Sequence, residues 1–159
     1  MANAHVPMTG GCLCGAVRYE SKAAPTEGFY CHCRICQNFF GSLFGAFVRV
    51  ARSSFAFTKG MPAFYRSSDV ARRGFCESCG SPMVFVYDNA DSDFWVSAGS
   101  LDHPEDWPLT KSAAWGPVVH GHVDSKISWQ EIDDGLPQRT GQTALYRQEA
   151  ERLLGRKPR

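Results

Sequence analysis

The sequence predicts a mainly β fold in which antiparallel sheets are held together by zinc, with a short C-terminal helix. Two observations support this prediction. Short segments rich in Val, Phe, Tyr and Trp alternate with Gly, Pro, Asn and Asp along most of the chain, which is the pattern of antiparallel strands joined by turns. Three groups of closely spaced cysteines interrupt this pattern, and such spacing is typical of zinc ligands.

The length and charge of the chain limit its organisation and its partners. A chain of 159 residues suits one domain, and we expect a flexible N-terminus at 1–8, the zinc-binding domain at 9–137, and a helix with a basic tail at 138–159. The formal net charge is only +1, which argues against nucleic acid or an anionic membrane as a partner.

The N-terminal residues and the cysteine count both bear on the expected compartment. The first seven residues lack the features of a signal peptide, and no apolar run is long enough to span a membrane, so we expect a cytoplasmic protein. In a reducing compartment cysteines bind metals more often than they form disulfides. The odd number of seven cysteines also fits poorly with full pairing.

The strands are predicted, in order, from alternating or continuous apolar segments bounded by turn residues. One strand follows the glycine-flanked Cys12 and Cys14, a short strand at 29–30 leads into the central cysteines, and a buried strand is expected at 43–50. Residues 37–42 are expected to form a loop or a single helical turn. The further predictions are strands at 54–57, 63–66, 83–87 and 93–97, a proline-bounded loop at 102–108, a strand or strand and loop at 118–124, a helix at 143–154 and a solvated basic tail at 155–159.

The segment that contains Cys31, Cys33 and Cys36 is the densest group of metal-binding side chains. Alternate residues of a strand point to the same face, so the first two thiols can hold one ion while the chain turns and brings the third. Two other interpretations start from the same residues: a strained disulfide that closes a short loop, or buried thiols without a ligand. We favour the metal site because the spacing is typical of zinc ligands.

The other four cysteines suggest a second site. Cys12 and Cys14 form one pair, and Cys76 and Cys79 form a zinc knuckle, in which the following glycine allows a tight turn. Four thiolates fill a tetrahedral zinc site, whereas the three of the central group leave a position for water or substrate. Spacing alone leaves the partition open, because a closed site can also join the first pair with two thiols of the central group, and a histidine can complete the other site.

These motifs are similar to those of the glutathione-dependent formaldehyde-activating enzyme (Gfa) family, also called the centromere protein V domain family. The resemblance rests on four segments in the family's order, which are 10–20, 31–36 with the following Gly41-Ser42, 75–83 and 122–137. It implies a β-tent-like fold with two zinc ions per chain. The implied ligands are Cys12, Cys14, Cys76 and Cys79 for a structural ion, and Cys31, Cys33 and Cys36 for a catalytic ion with an open position.

The resemblance also implies a reaction, the condensation of formaldehyde with glutathione to S-hydroxymethylglutathione or its reverse, which is carbon-sulfur lyase chemistry. The expected partner is therefore a small molecule, glutathione or another thiol, whose sulfur an open zinc position would activate. The alternative function is a non-catalytic zinc-stabilised domain that binds a thiol carrier, another small molecule or a protein. The chain departs from the family at Gln37-Asn38, since a basic residue commonly stands there, just after Cys36.

Several polar and aromatic residues close to these motifs have more than one interpretation. His32 lies between two ligands and should point away from them, beside the site or at the surface. His120 and His122 are expected to share one strand face with Asp124, where a hydrogen-bonded structural role is favoured over lining a pocket. Arg34 can bind a substrate carboxylate or stay solvated. The four tryptophans, Trp95, Trp107, Trp115 and Trp129, are expected in the core or in a pocket wall. The two phenylalanines Phe39 and Phe40 are expected either in the core or as an apolar lid beside the metal.

Overall fold

The computed structural model describes residues 7–88, 93–111 and 113–141. This part of the chain forms two β-sheets and one short helix, α1, over Arg34–Phe40. The strands in chain order are β1 Met8–Gly11, β2 Arg18–Ser21, β3 Glu27–Cys31, β4 Gly45–Val50, β5 Phe55–Lys59, β6 Ala63–Ser68, β7 Ala71–Phe75, β8 Pro82–Tyr87, β9 Phe94–Ser97, β10 Val118–Gly121 and β11 Gln138–Arg139.

The strands divide into a small and a large sheet. The small sheet has the order β1-β2-β5, and the large sheet has the order β11-β10-β3-β4-β9-β8-β7-β6. Within both sheets neighbouring strands are antiparallel, except that β10 runs parallel to β3 and to β11. The prediction of a mainly β fold is confirmed, but the sheets are mixed rather than purely antiparallel. The connection at 98–117 is long enough to bring β10 back beside β3 in the same direction.

The structure contains every strand predicted within the described residues and three that the sequence does not predict, β1, β7 and β11. Strand β7 has the sequence Ala-Arg-Arg-Gly-Phe, which is poor in residues that favour strands. It forms because it pairs with β6 on one side and with β8 on the other. Tertiary pairing therefore overrides local preference at this strand, which contributes a residue of the candidate site.

Helix α1 begins earlier than the sequence predicts. A loop or a single turn is expected after the central cysteines, whereas the helix already begins at Arg34 and ends at Phe40. At its start the Cys33 sulfur accepts a hydrogen bond from the N–H of Cys36 at 3.4 Å, and at its end Gly41 is left-handed, with φ of 59°. These caps satisfy backbone groups that the helix itself leaves without partners. Ser, Thr, Asp or Asn usually marks the start of a helix in a sequence, because its side-chain oxygen caps the first turn. Here the sulfur of Cys33 takes this place, so the sequence carries no recognisable start signal.

The two sheets share one hydrophobic core. Met8 and Tyr19 of the small sheet pack in the same cluster as Val48, Val84 and Val96 of the large sheet, and all five are almost fully buried. Burial of one such side chain contributes about 1.5–3 kcal/mol. This core therefore holds the small sheet against one face of the large sheet.

The opposite face of the large sheet carries a second cluster. Phe47 directly precedes the core residue Val48 in β4, and Phe85 directly follows the core residue Val84 in β8. Because successive side chains of a strand point to opposite faces, the two rings point to the other face of the sheet. They are buried together with Cys31 and Cys36. This face is therefore where the candidate site lies.

Some predictions fall outside the described residues. The helix predicted at 143–154 and the basic tail at 155–159 are among them, as are residues 1–6 of the N-terminal segment. In the described part, no helix has the length and apolar character needed to cross a membrane.

Candidate metal centres and active site

Two loops bring four cysteines together at one end of the sheets. Cys12 and Cys14 lie between β1 and β2, whereas Cys76 and Cys79 lie between β7 and β8. Their four sulfur atoms are within 4.8 Å of one another, with distances of 3.6 Å from Cys12 to Cys14 and 3.7 Å from Cys14 to Cys76. Tetrahedral zinc with bonds of 2.3 Å separates its sulfur ligands by about 3.8 Å. The donor set therefore fits zinc, and the described residues group as the two pairs rather than in the other partition.

The backbone of these loops is folded around the four sulfur atoms. Gly80 is left-handed, with φ of 76°, and its N–H donates to the carbonyl of Cys76 at 2.8 Å, so the glycine predicted to allow the tight turn does so. The Cys12 sulfur accepts a hydrogen bond from the N–H of Val17 at 3.2 Å. Ser81 connects the two loops, because its hydroxyl accepts a hydrogen bond from the N–H of Leu13 at 3.0 Å.

The other three cysteines meet where β3 passes into α1. Cys31 is the last residue of β3, Cys33 caps the helix, and Cys36 lies in its first turn. Their sulfur atoms also lie within 4.8 Å of one another. The predicted grouping is present, although the helix rather than strand alternation positions Cys33 and Cys36. Three soft donors on this scale suit zinc with one position left for another ligand.

The three thiols share their protons unequally when no metal is bound. A hydrogen bond from Cys31, followed by one from Cys36, lowers the pKa of Cys33 far below its usual range. Its hydrogen bonds to Cys33 and then to Cys36, followed by burial, raise the pKa of Cys31. A metal ion that binds three thiolates must displace these protons, so its affinity at this centre falls as the pH falls.

A buried arginine that the sequence analysis did not single out lies against this centre. Arg73 of β7 is 6% exposed, and its Nη2 donates to the Cys36 sulfur at 3.2 Å. Its Nη1 donates to the hydroxyl of Ser67, and its guanidinium lies 5.8 Å from the ring centre of Phe39 and 5.4 Å from that of Phe85. Zn²⁺ with three thiolates has a net charge of −1, which a buried cation in contact offsets.

Replacing Arg73 by methionine is expected to weaken zinc binding at the three-cysteine centre about tenfold to a hundredfold, because a hydrogen bond to a charged group contributes about 1.5–3 kcal/mol. Competition with a chromophoric chelator measures this affinity. Arg72→Met is the matched control, since the neighbouring side chain points to the other face and pairs with Asp88. Equal zinc affinity of the two variants would contradict a role for Arg73 at the metal.

A chain of hydrogen bonds runs behind the three cysteines. His32 is fully buried, and its Nε2 lies 2.8 Å from Nδ1 of His120, whose Nε2 lies 2.8 Å from a carboxylate oxygen of Asp134. Burial, followed by the charge of His120, lowers the pKa of His32 to about 4. His32 therefore lies beside the site rather than at the surface. The hydrogen-bonded role expected of His120 is present, with Asp134 as a partner that the sequence analysis missed.

The expectation that His120 and His122 share a strand face is wrong. Strand β10 ends at Gly121, and His122 adopts a left-handed conformation, with φ of 57°, at the start of a short turn over Val123–Ser125. The two imidazoles therefore do not follow strand alternation. His122 lines the cavity beside the three-cysteine centre, whereas His120 is buried behind it.

The other expected site residues divide between the cavity, the core and the surface. Arg34 is exposed and donates a hydrogen bond to the side chain of Gln37. Of its two interpretations, the structure agrees with the solvated one. Phe40 packs against Phe47 at 5.3 Å between ring centres, as a core residue, and Phe39 packs against Phe40 and Arg73.

The four tryptophans have different surroundings. Trp95 lines the cavity, Trp107 is buried, and Trp115 packs against the core. Trp129 is 70% exposed, so its expected place in the core or a pocket wall is wrong.

A cavity of about 560 Å³ opens over the three-cysteine centre, on the face of the large sheet opposite the shared core. All three cysteines line it, so a metal held by them faces the cavity. Four aromatic side chains form part of the remaining wall, and they are Phe29, Phe85, Tyr87 and Trp95. Polar side chains also line the cavity, including His122 beside the cysteines, and Arg139. A small molecule with a reactive sulfur can therefore reach the open side of the centre.

The fold and the two cysteine clusters define a mainly β protein that can hold metal at a closed four-cysteine centre and at an open three-cysteine centre. The chain belongs to the glutathione-dependent formaldehyde-activating enzyme family, whose model matches residues 7–119. It is 30% identical over 89 residues to an uncharacterized lyase of Schizosaccharomyces pombe, and the match covers 56% of this chain and 64% of that relative. A crystal structure of a Rhodobacter sphaeroides protein is similar in fold, with a TM-score of 0.50 and 21% identity over 60% of this chain and 88% of that one. The predicted family is confirmed.

Proposed function

We propose that this protein is a zinc-dependent carbon-sulfur lyase that acts on a thiol or a thiol-aldehyde adduct. The reaction is the joining of glutathione and formaldehyde to S-hydroxymethylglutathione, its reverse, or a related reaction. Family membership and the lyase-named relative support this class of activity. The observation that carries the proposal is that all three cysteines of the second centre line a cavity, whereas the first centre has four thiols of its own.

The two centres then have different roles. Cys12, Cys14, Cys76 and Cys79 hold a structural zinc that is closed by four thiolates. Cys31, Cys33 and Cys36 hold a catalytic zinc, which supplies a stabilised thiolate of the substrate at neutral pH.

The residues around the second centre contribute the rest of the chemistry. In the forward direction the substrate sulfur attacks the carbonyl carbon, a carbon-sulfur bond forms, the carbonyl π bond breaks, and the proton lost by the thiol ends on the new hydroxyl oxygen. Arg73 lies against Cys36 and stabilises negative charge on the sulfur atoms. The aromatic part of the wall lowers the local polarity beside the centre, which strengthens this electrostatic effect.

The test is exchange spectroscopy by NMR on mixtures of glutathione and formaldehyde, with protein shown by native mass spectrometry to contain two zinc ions per chain. The adduct also forms and breaks down without a catalyst, so we expect an exchange rate that rises in proportion to protein concentration. Protein with both ions that accelerates exchange for neither formaldehyde nor a panel of other aldehydes would overturn the proposal. That result would favour the alternative, a zinc-stabilised domain that binds a thiol carrier, small molecule or protein.

A further inference from the structure

Five strands of the large sheet place their side chains in one row along the floor of the cavity. Consecutive partners across the strands are Arg73 with Phe85, Phe85 with Trp95, Trp95 with Arg49, and Arg49 with Glu27. Directly paired residues point to the same face of a sheet, and all five line the cavity. The row begins at the three-cysteine centre, where Arg73 contacts Cys36.

The two rings in this row stack between two guanidinium groups. The planes of Phe85 and Trp95 are 3° apart, with ring centres separated by 5.6 Å. The guanidinium of Arg73 lies 5.4 Å from the Phe85 ring centre, and that of Arg49 lies 5.9 Å from the Trp95 ring centre. Each ring therefore has a neighbour on both faces, and only the part of its edge that lines the cavity can meet a ligand. Ring edges carry partial positive charge and prefer the face of another π system.

Two further aromatic side chains extend this surface. Phe29 meets Trp95 in an edge arrangement, with ring centres 5.6 Å apart, and Tyr87 meets Phe85 in the same way at 5.6 Å. The backbone of β10 approaches Phe29 so closely that a Cβ at Gly121 would lie 2.1 Å from its ring. The absent side chain at this glycine lets the Phe29 ring lie over β10 at the cavity wall.

The row is much longer than a one-carbon substrate needs. Neighbouring strands are about 4.8 Å apart, so the three steps from Arg73 to Arg49 span about 14 Å. A carbonyl carbon bonded to a sulfur at the centre occupies only the beginning of this distance. The remainder offers ring edges between two cations, which suits a flat unsaturated group.

We propose that the cavity binds a thiol substrate or thiol adduct that carries an aromatic ring close to its sulfur, with this ring lying on the edges of Phe85 and Trp95. This inference rests on the proposed function for the place of the sulfur, and it names the class of substrate.

The test compares the binding of 2-phenylethanethiol and ethanethiol to the zinc-loaded protein by calorimetry. These two alkyl thiols differ by one phenyl ring, and burial of a phenyl ring of this size predicts at least about tenfold tighter binding for the first. In Trp95→Leu the ratio of the two affinities is expected to fall at least about threefold, because the edge contact is lost. Tyr65→Ala is the matched control, since Tyr65 is 63% exposed on β6 and is not among the cavity residues; it should keep the wild-type ratio.

The outcomes separate this inference from the proposed function. Equal affinities for the two thiols, no binding of either, or a preference that Trp95→Leu leaves intact would overturn the aromatic cavity. These results leave the exchange experiment with formaldehyde unaffected. Conversely, a tenfold preference that depends on Trp95, in a protein that does not accelerate exchange, would support the binding site and overturn the lyase.

Discussion

Replacing Cys76 by serine is expected to unfold the protein at room temperature. The Cys76 side chain is 1% exposed and belongs to the four-cysteine centre that joins the β1–β2 loop to the β7–β8 loop. Apparent binding free energies of structural zinc are on the order of 10 kcal/mol, which is comparable with the total stability of a domain, about 5–15 kcal/mol. Loss of this ion therefore removes most of the stability. Circular dichroism and thermal denaturation measure the effect.

The matched control is Ser78→Ala, which alters an exposed residue of the same knuckle. It should retain the wild-type spectrum and melting temperature, since surface substitutions usually change stability by less than about 0.5 kcal/mol. A Cys76→Ser variant that melts within a few degrees of the wild type, with its zinc content unchanged, would show that the four thiols do not bind a stabilising ion.

Replacing Cys36 by serine is expected to reduce catalysis strongly while leaving the fold intact, in contrast to the substitution at Cys76. Cys36→Ser should retain the fold, lose one of two zinc ions per chain, and reduce the exchange rate at least about a hundredfold, since metal activation of the nucleophile is lost. The strands should pair without this thiol, because the core shared by the two sheets lies on the opposite face of the large sheet from Cys36. Native mass spectrometry counts the ions, and exchange spectroscopy measures the rate on the same sample.

Asn38→Ala provides the comparison for this variant, because Asn38 is exposed on the same helix and is not among the cavity residues. It should retain both ions and the full rate. If Cys36→Ser keeps the wild-type exchange rate after it has lost an ion, the catalytic role of the three-cysteine centre is wrong. If it unfolds, Cys33→Ser at the helix cap repeats the measurement with a less buried ligand.

The groups of cysteines were predictable because close spacing in the chain also brings the sulfur atoms close in space. A pair separated by one or two residues cannot move far apart, so Cys76 and Cys79 must share a turn, and the glycine that follows them marks its direction. The strands with alternating apolar residues were predictable for the same local reason. What spacing left open was which pairs join, since that depends on how the sheets pack.

The site residues that the sequence did not predict, Arg73 and Asp134, both depend on distant pairing. Arg73 reaches Cys36 because β7 lies between β6 and β8, and Asp134 reaches His120 from beyond the end of β10. Strand β10 joins β3 in parallel, although the paired residues Cys31 and Gly121 are 90 positions apart along the chain. No local pattern of residues reports such contacts, because they arise from the packing of the whole sheet.

Strand β7 connects the two centres directly. Arg73, which contacts a ligand of the open centre, precedes Cys76, a ligand of the closed centre, by three residues in the chain. Any displacement of the knuckle therefore shifts the guanidinium that offsets the charge of the other thiolates. Under the function proposed above, zinc limitation that empties the four-cysteine centre would therefore also reduce activity at the three-cysteine centre, so activity would depend on the supply of two ions per molecule rather than one.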